Sequence, residues 1–154
     1  MRSKECSRRG QRPRPTRKRL SLTERMRRIR KTDSKPEMLV RRLVHSMGYR
    51  YRLHQSKLPG NPDIVLARHR KVIFVHGCFW HRHDCRDGRK LPTSKPEYWG
   101  PKLEGNRRRD EGNIVRLRAQ GWRVLVVWEC GTKDTKRLAS KVAKFLGSKI
   151  RSPD

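Results

Sequence analysis

Acidic side chains are scarce in this chain: 14 Asp and Glu stand against 42 Lys and Arg, leaving a formal charge of +28 on 154 residues. That excess is far beyond what solubility needs and implies a polyanionic partner, DNA or RNA first. Long apolar runs are missing too. No stretch approaches the roughly 18 apolar residues that span a bilayer, and no apolar signal-peptide core lies near Met1. An anionic membrane surface would attract the same charge, but nothing here would anchor the chain in it. Cysteine is sparse, at positions 6, 78, 85 and 130. Without a secretory signal these residues point to metal binding or free thiols rather than to a disulfide scaffold, and a cytoplasmic redox compartment is expected. The length allows one core and no second full-sized domain.

What is present falls into three stretches. Residues 1–20 are rich in Lys and Arg with almost nothing apolar, so burial cannot offset their ordering entropy. A disordered basic arm that tracks phosphates, or merely solubilises, is expected there. Residues 21–148 form the domain proper, and 149–154 a flexible tail. Within the domain, Pro36 to Met47 carries Met38, Leu39, Val40, Leu43, Val44 and Met47 on one helical face, with Gly48 to end it. Tyr49 to Leu53 predicts a short strand. The turn Leu58-Pro59-Gly60-Asn61-Pro62 delivers Asp63 to the head of another, Ile64 to Ala67. Val72 to Val75 is a continuous apolar run, as in a strand covered on both faces, and His76 ends it. Residues 77–100 read as a long functional loop. Pro101 opens a predicted helix to about Gln120, with Ile114, Val115 and Leu117 as its apolar side and Gly121 as its stop. Trp122 to Trp128 is the strongest strand, and Leu138, Val142, Phe145 and Leu146 give a final helix. The order α, β, β, β, α, β, α implies an α/β sandwich with function at strand ends and loops.

The segment Cys78-Phe-Trp-His81-Arg-His83-Asp-Cys85 packs four soft ligands into eight residues, and Cys130 ends the strongest strand. Cys78, His83, Cys85 and Cys130 would fill a tetrahedral zinc site, leaving no position for an activated water, so such a metal would be structural. The alternative is buried thiols and solvated histidines; Cys6 stands alone in the arm. His76 and His81 are left over, and either suits proton transfer or a phosphate contact. Asp63 heads a buried strand, a costly place for a carboxylate unless a cation such as magnesium or hydrogen bonds offset its desolvation. Ser34-Lys35-Pro36-Glu37 matches a helix capping box, which leaves Glu37 open between capping and catalysis. Phe79, Trp80, Tyr98 and Trp99 suit either the core or base stacking, and rings driven into a duplex favour already weakened, mismatched steps.

Three separated blocks carry a resemblance. They are Leu58-Pro-Gly-Asn-Pro-Asp63, Val72-Ile-Phe-Val-His-Gly-Cys-Phe-Trp-His81-Arg-His-Asp-Cys85 and Trp122-Arg-Val-Leu-Val-Val-Trp-Glu-Cys130. Through them the chain closely resembles the very short patch repair (Vsr) endonucleases, over roughly residues 25 to 146. The resemblance implies a three-layer α/β sandwich like that of PD-(D/E)XK nucleases, with a mixed central sheet and a structural zinc site. It implies magnesium-dependent nicking of one DNA strand beside the thymine of a T:G mismatch, the lesion left when 5-methylcytosine deaminates. By position, Asp63 and the backbone carbonyl of Val75 would bind magnesium, His76 and His81 would assist the attacking water or the phosphate, and Glu37 would support them. Cys78, His83, Cys85 and Cys130 would hold zinc. Phe79, Trp80 and Trp99 would wedge into the duplex from one groove, with Met26 approaching from the other. A bacterial, nucleoid-associated monomer with mismatch-repair partners is the corresponding expectation.

Two departures from the pattern stand out. Val75 occupies a position where the family is expected to have threonine, and the acid-x-lysine element of the wider superfamily falls on Phe74-Val75-His76. Two rival functions fit the same residues. A His-metal nuclease of the HNH type would use His76 or His81 as general base and survive loss of Asp63. A basic zinc module would bind DNA by charge and stacking without cutting it.

Overall fold

The computed structural model describes residues 32–93 and 95–147. The basic arm, Cys6, Met26 and the expected tail lie outside the described residues. Helix α1 spans Lys35–Ser46; the Ser34 hydroxyl accepts the Glu37 N–H at 3.4 Å, and Pro36 sits in the first turn. There its missing N–H deprives no acceptor. Three strands follow: β1 (Arg52–Leu53), β2 (Ile64–Leu66) and β3 (Lys71–His76), with a 3-10 turn at Ala67–His69 before β3. Helix α2 (Pro96–Ala119), strand β4 (Arg123–Trp128), a 3-10 turn (Glu129–Thr132) and helix α3 (Thr135–Leu146) complete the chain. The Asp134 carboxylate caps α3 by accepting the Arg137 N–H at 3.0 Å. Element order is as the periodicity predicts.

The sheet runs β1-β2-β3-β4, antiparallel between the first three and parallel between β3 and β4, with α2 as the crossover. In the parallel pair His76 lies beside Trp128, so both strands end together. The antiparallel β2 starts at that same end, which carries Asp63 there too. Two apolar layers enclose the sheet. Val40 and Val44 of α1 and Leu138, Val142 and Leu146 of α3 pack on Ile64, Leu66 and Ile73. Leu117 and Ile114 of α2 cover Val65, Val72 and Phe74 on the other face. The result is three layers around a mixed four-stranded sheet, and β3 is buried on both sides.

Several boundaries and one helix face differ from the sequence reading. The first strand keeps only Arg52–Leu53, because the Tyr49 and Tyr51 rings turn to the core and their hydroxyls bond the carbonyls of Leu146 and Arg41 at 2.9 and 3.3 Å. Ala67 leaves β2 for the 3-10 turn. The loop ends at Lys95 instead of Gly100, because α2 begins at Pro96 and Pro101 lies inside it. Trp99 and Leu103, one turn apart and 3% and 0% exposed, bury together only if the helix is continuous across Pro101. The carbonyl of Glu97 that Pro101 leaves unpaired belongs to an exposed residue and can meet water. Val115, 64% exposed, is off the buried face, which runs through Trp99, Leu103, Ile114 and Leu117.

Candidate active site and thiol–imidazole cluster

Strand ends gather the chemistry. Asp63 follows buried Pro62 and half-buried sits at the head of β2, where its Oδ2 accepts the Val75 N–H at 2.7 Å. Burial pushes its pKa from the ordinary 3.8 up to about 6; the Val75 N–H opposes the rise and the Glu37 carboxylate adds to it. A desolvated carboxylate with one oxygen anchored is a hard donor that suits a small divalent cation. Val75 therefore meets Asp63 through its N–H, while its side chain packs against the apolar layer under α1 and α3. The branched hydrocarbon fits that layer without a hydroxyl.

His76 ends β3 only 6% exposed, and burial, reinforced by His81, lowers its pKa to about 4, so its ring is neutral at pH 7. The His81 ring stacks on it with centroids 3.9 Å apart and planes 5° from parallel. His81 Nδ1 in turn meets the Asp110 carboxylate of α2. An open pocket of about 280 Å³ is lined by His76, His81, Arg82, Arg107, Asp110 and Trp128, among others. Asp110 was not among the residues singled out from the sequence. It hides in the charged run Arg107 to Glu111, and its only signal is its place on the helical face defined by Leu103, Ile114 and Leu117.

Glu37 divides its two possible roles between main chain and side chain. Its N–H is capped by Ser34, whereas its carboxylate, 3% exposed as a residue, turns inward to Arg41 and to His54 Nε2 at 3.2 Å. The reciprocal half of a capping box is thus replaced by a buried ion pair.

Ligand atoms of Cys78, His83, Cys85 and Cys130 all lie within 4.8 Å of one another. Cys78 follows β3 and Cys130 follows β4, so the parallel pairing brings them together; the Cys130 N–H bonds the Cys78 sulfur at 3.4 Å. His83 Nδ1 stands 3.8 and 3.4 Å from the sulfurs of Cys78 and Cys130, and its ring stacks on Trp128 with centroids 4.3 Å apart. Cys85 Sγ accepts the Gly88 N–H at 3.4 Å, which pulls its pKa down to about 6, while burial pushes Cys78 up to about 12. A cation among three sulfurs and an imidazole would offset the cost of ionising Cys78, so the donor set fits a tetrahedral, sulfur-preferring metal. Gly88 makes the turn possible: a Cβ there would lie 2.0 Å from the His83 carbonyl oxygen.

Phe79, Trp80 and Trp99 form one aromatic cluster with centroids 5.0 to 6.0 Å apart. Phe79 and Trp80 are half-buried; Trp99 is the floor beneath them, its buried Nε1 without a partner among the described residues. The Asn106 amide of α2 holds the cluster by donating to the Trp80 carbonyl at 3.2 Å.

No described helix is long and apolar enough to cross a membrane. A family model described as DNA mismatch endonuclease Vsr matches residues 16–87. Over 121 residues the chain is 50% identical to the type II nicking enzyme V.XorIIP of Xanthomonas oryzae pv. oryzae, covering 79% of this chain and 88% of that protein. It is 41% identical over 109 residues to the type II nicking enzyme V.NmeAIP of Neisseria meningitidis, with 71% and 77% covered. Against the DNA mismatch endonuclease Vsr of Escherichia coli K12 the identity is 40% over 116 residues, covering 75% and 74%.

Proposed function

Because the chain belongs to the Vsr family of DNA mismatch endonucleases, we propose that its mismatch nicking is directed to the thymine strand of a T:G pair and depends on magnesium at Asp63. The family makes it an endodeoxyribonuclease acting on DNA with a divalent metal; the lesion and the ions are our assignment. The observation that carries it is that Asp63, anchored by the Val75 N–H, and the His76–His81–Asp110 group lie at the same end of the sheet, where the elements they come from end or cross.

Hydrolysis of a phosphodiester needs an in-line water, neutralisation of the nonbridging oxygens and help for the leaving 3' oxygen. A divalent ion supplies the charge neutralisation when bound, with Asp63 and the Val75 carbonyl as its holders. The Val75 N–H fixes the Asp63 carboxylate in place. His81, oriented by Asp110 through Nδ1, takes the proton of the attacking water. His76, neutral and stacked against it, limits where that ring sits and meets the phosphate. Glu37 supports Asp63 from α1. Zinc on Cys78, His83, Cys85 and Cys130 staples the loop that carries His81 to the end of β4. Phe79 and Trp80, backed by Trp99, enter the weakened base step, Met26 reaches the opposite groove, and the basic residues 1–20 contact phosphates.

The test is nicking of a labelled duplex with one T:G mismatch beside a T:A control, with and without magnesium, for the wild type and Asp63→Ala. Cutting of the thymine strand of the mismatch alone, requiring both magnesium and Asp63, is expected. Full activity of Asp63→Ala would sink the assignment.

A further inference from the structure

Arg41 is a buried cation with no part in the chemistry assigned to Asp63, His76 and His81. Its side chain is 7% exposed, and it reaches Asp33 at 2.6 Å, His54 Nε2 at 2.9 Å, the Met38 sulfur at 3.4 Å and the Glu37 carboxylate one helical turn before it. Its Nε has no partner among the described residues. Such a charge is tolerated only beside an ionised partner, and removing either member of the pair leaves the other uncompensated. Two neighbours are held at a conformational cost. Asp33 and His54 have φ of +57° and +45°, a left-handed region that costs a non-glycine residue on the order of 1 kcal/mol. Both strained residues face the guanidinium.

Asp33, Glu37 and His54 offer ligand atoms within 4.8 Å of one another, a set that would otherwise suit a divalent ion. The guanidinium already stands among them as their cation. Asp63 lies within electrostatic reach of Glu37, His54 and Arg41, so the two carboxylates that a metal could bridge are separated in role by what surrounds each. One is anchored through Oδ2 by a backbone N–H; the other is engaged through Oε1 by the charged Arg41 and by His54.

We propose that Arg41, with His54, is a positioning residue that holds Glu37 as a fixed anion beside Asp63 and keeps it from ligating the divalent ion, which is left to Asp63. This rests on the reading of Asp63 as the holder of that ion. Removing the guanidinium would leave the Glu37 and Asp63 carboxylates within electrostatic reach of one another without that compensating charge. A divalent ion would then be drawn to both.

The experiment is a calorimetric titration of magnesium chloride into the full chain without DNA, for Asp63→Asn, Glu37→Gln, Arg41→Lys, Arg41→Met and the double variant Arg41→Met/Glu37→Gln. Asp63→Asn should abolish binding, whereas Glu37→Gln should only weaken it by about fivefold, the effect of losing one nearby unit of negative charge. Arg41→Met should tighten it by about fivefold or more, since a unit positive charge has left the site. The gain should vanish in the double variant and be absent in Arg41→Lys. A loss of magnesium binding in Glu37→Gln comparable to that in Asp63→Asn would make Glu37 a ligand and overturn the proposal. So would unchanged or weaker binding in a folded Arg41→Met. If Arg41→Met does not fold, Glu37→Gln alone decides. Absence of magnesium binding by the wild type would overturn both this proposal and the Asp63 reading, whereas magnesium binding without mismatch nicking counts against the proposed function alone.

Discussion

Replacing Asp63 by Asn should destroy nicking and at the same time stabilise the protein. The carboxylate is held where burial raises its pKa from 3.8 to about 6. A carboxyl raised on folding favours the folded state while protonated, so its contribution is best below pH 3.8 and is lost as the pH rises through about 6. Near neutrality the ionised group therefore opposes folding. The full shift corresponds to about 3 kcal/mol, and residual solvent at the half-buried group reduces the expected gain to about 2 kcal/mol. Asn keeps an oxygen for the Val75 N–H, so that bond survives the exchange. For a domain of this size the gain amounts to roughly 5 to 10 °C in melting midpoint. The assay is thermal unfolding of both proteins from pH 4 to 8 without added magnesium, and with no chelator, so that any metal on the thiolates is kept. The variant should melt higher at pH 8, and the two midpoints should converge toward pH 4. Added magnesium should raise the wild type alone. Equal midpoints at pH 8, or a gap independent of pH, would refute the claim that Asp63 is a desolvated carboxylate held for a cation.

Asp110→Asn should lower the nicking rate about 10-fold to 100-fold, with the KM for mismatched duplex nearly unchanged, because a neutral amide no longer stabilises the protonated His81 ring and its N–H can hold the ring in the other tautomer; single-turnover kinetics decide this, and an equal change in KM alone would contradict it. Gly88→Ala puts a Cβ 2.0 Å from the His83 carbonyl oxygen, so metal content per chain should fall and stability should drop by more than about 2 kcal/mol, read by elemental analysis and melting. Trp80→Ala should leave DNA binding in place and narrow the rate ratio between T:G and T:A duplexes, measured side by side. Lys71→Met removes the buried ammonium that donates to the Leu146 carbonyl at 2.9 Å at the far end of β3; a loss of about 1 to 2 kcal/mol in denaturant unfolding, with nicking intact, is expected.

The apolar run Val72 to Val75 and the β-rich Trp122 to Trp128 mark a buried strand and a half-buried one without reference to any neighbour, because period and branching act locally. The helix start at Ser34 was legible for the same reason: a capping oxygen reaches a backbone N–H three residues away. The start of α2 was not, because Pro101 reads locally as a first-turn residue and its place inside the helix follows from Trp99 and Leu103 burying together.

The same division runs through the site. Cys78, His83 and Cys85 are close in sequence, and their spacing alone proposes a metal cluster. Asp63 heads its strand by virtue of the turn before it. Cys130 belongs to that cluster only because β3 and β4 pair in parallel and end together. Asp110 is one carboxylate in a charged run until α2 crosses over His81. Glu37 reads equally as a cap or as a site residue until Arg41 and His54 take its carboxylate. Local chemistry and periodicity were therefore written in the sequence itself. Which distant groups face one another was decided only by the tertiary structure, because strand pairing and helix crossing join residues whose separation along the chain carries no signal of contact.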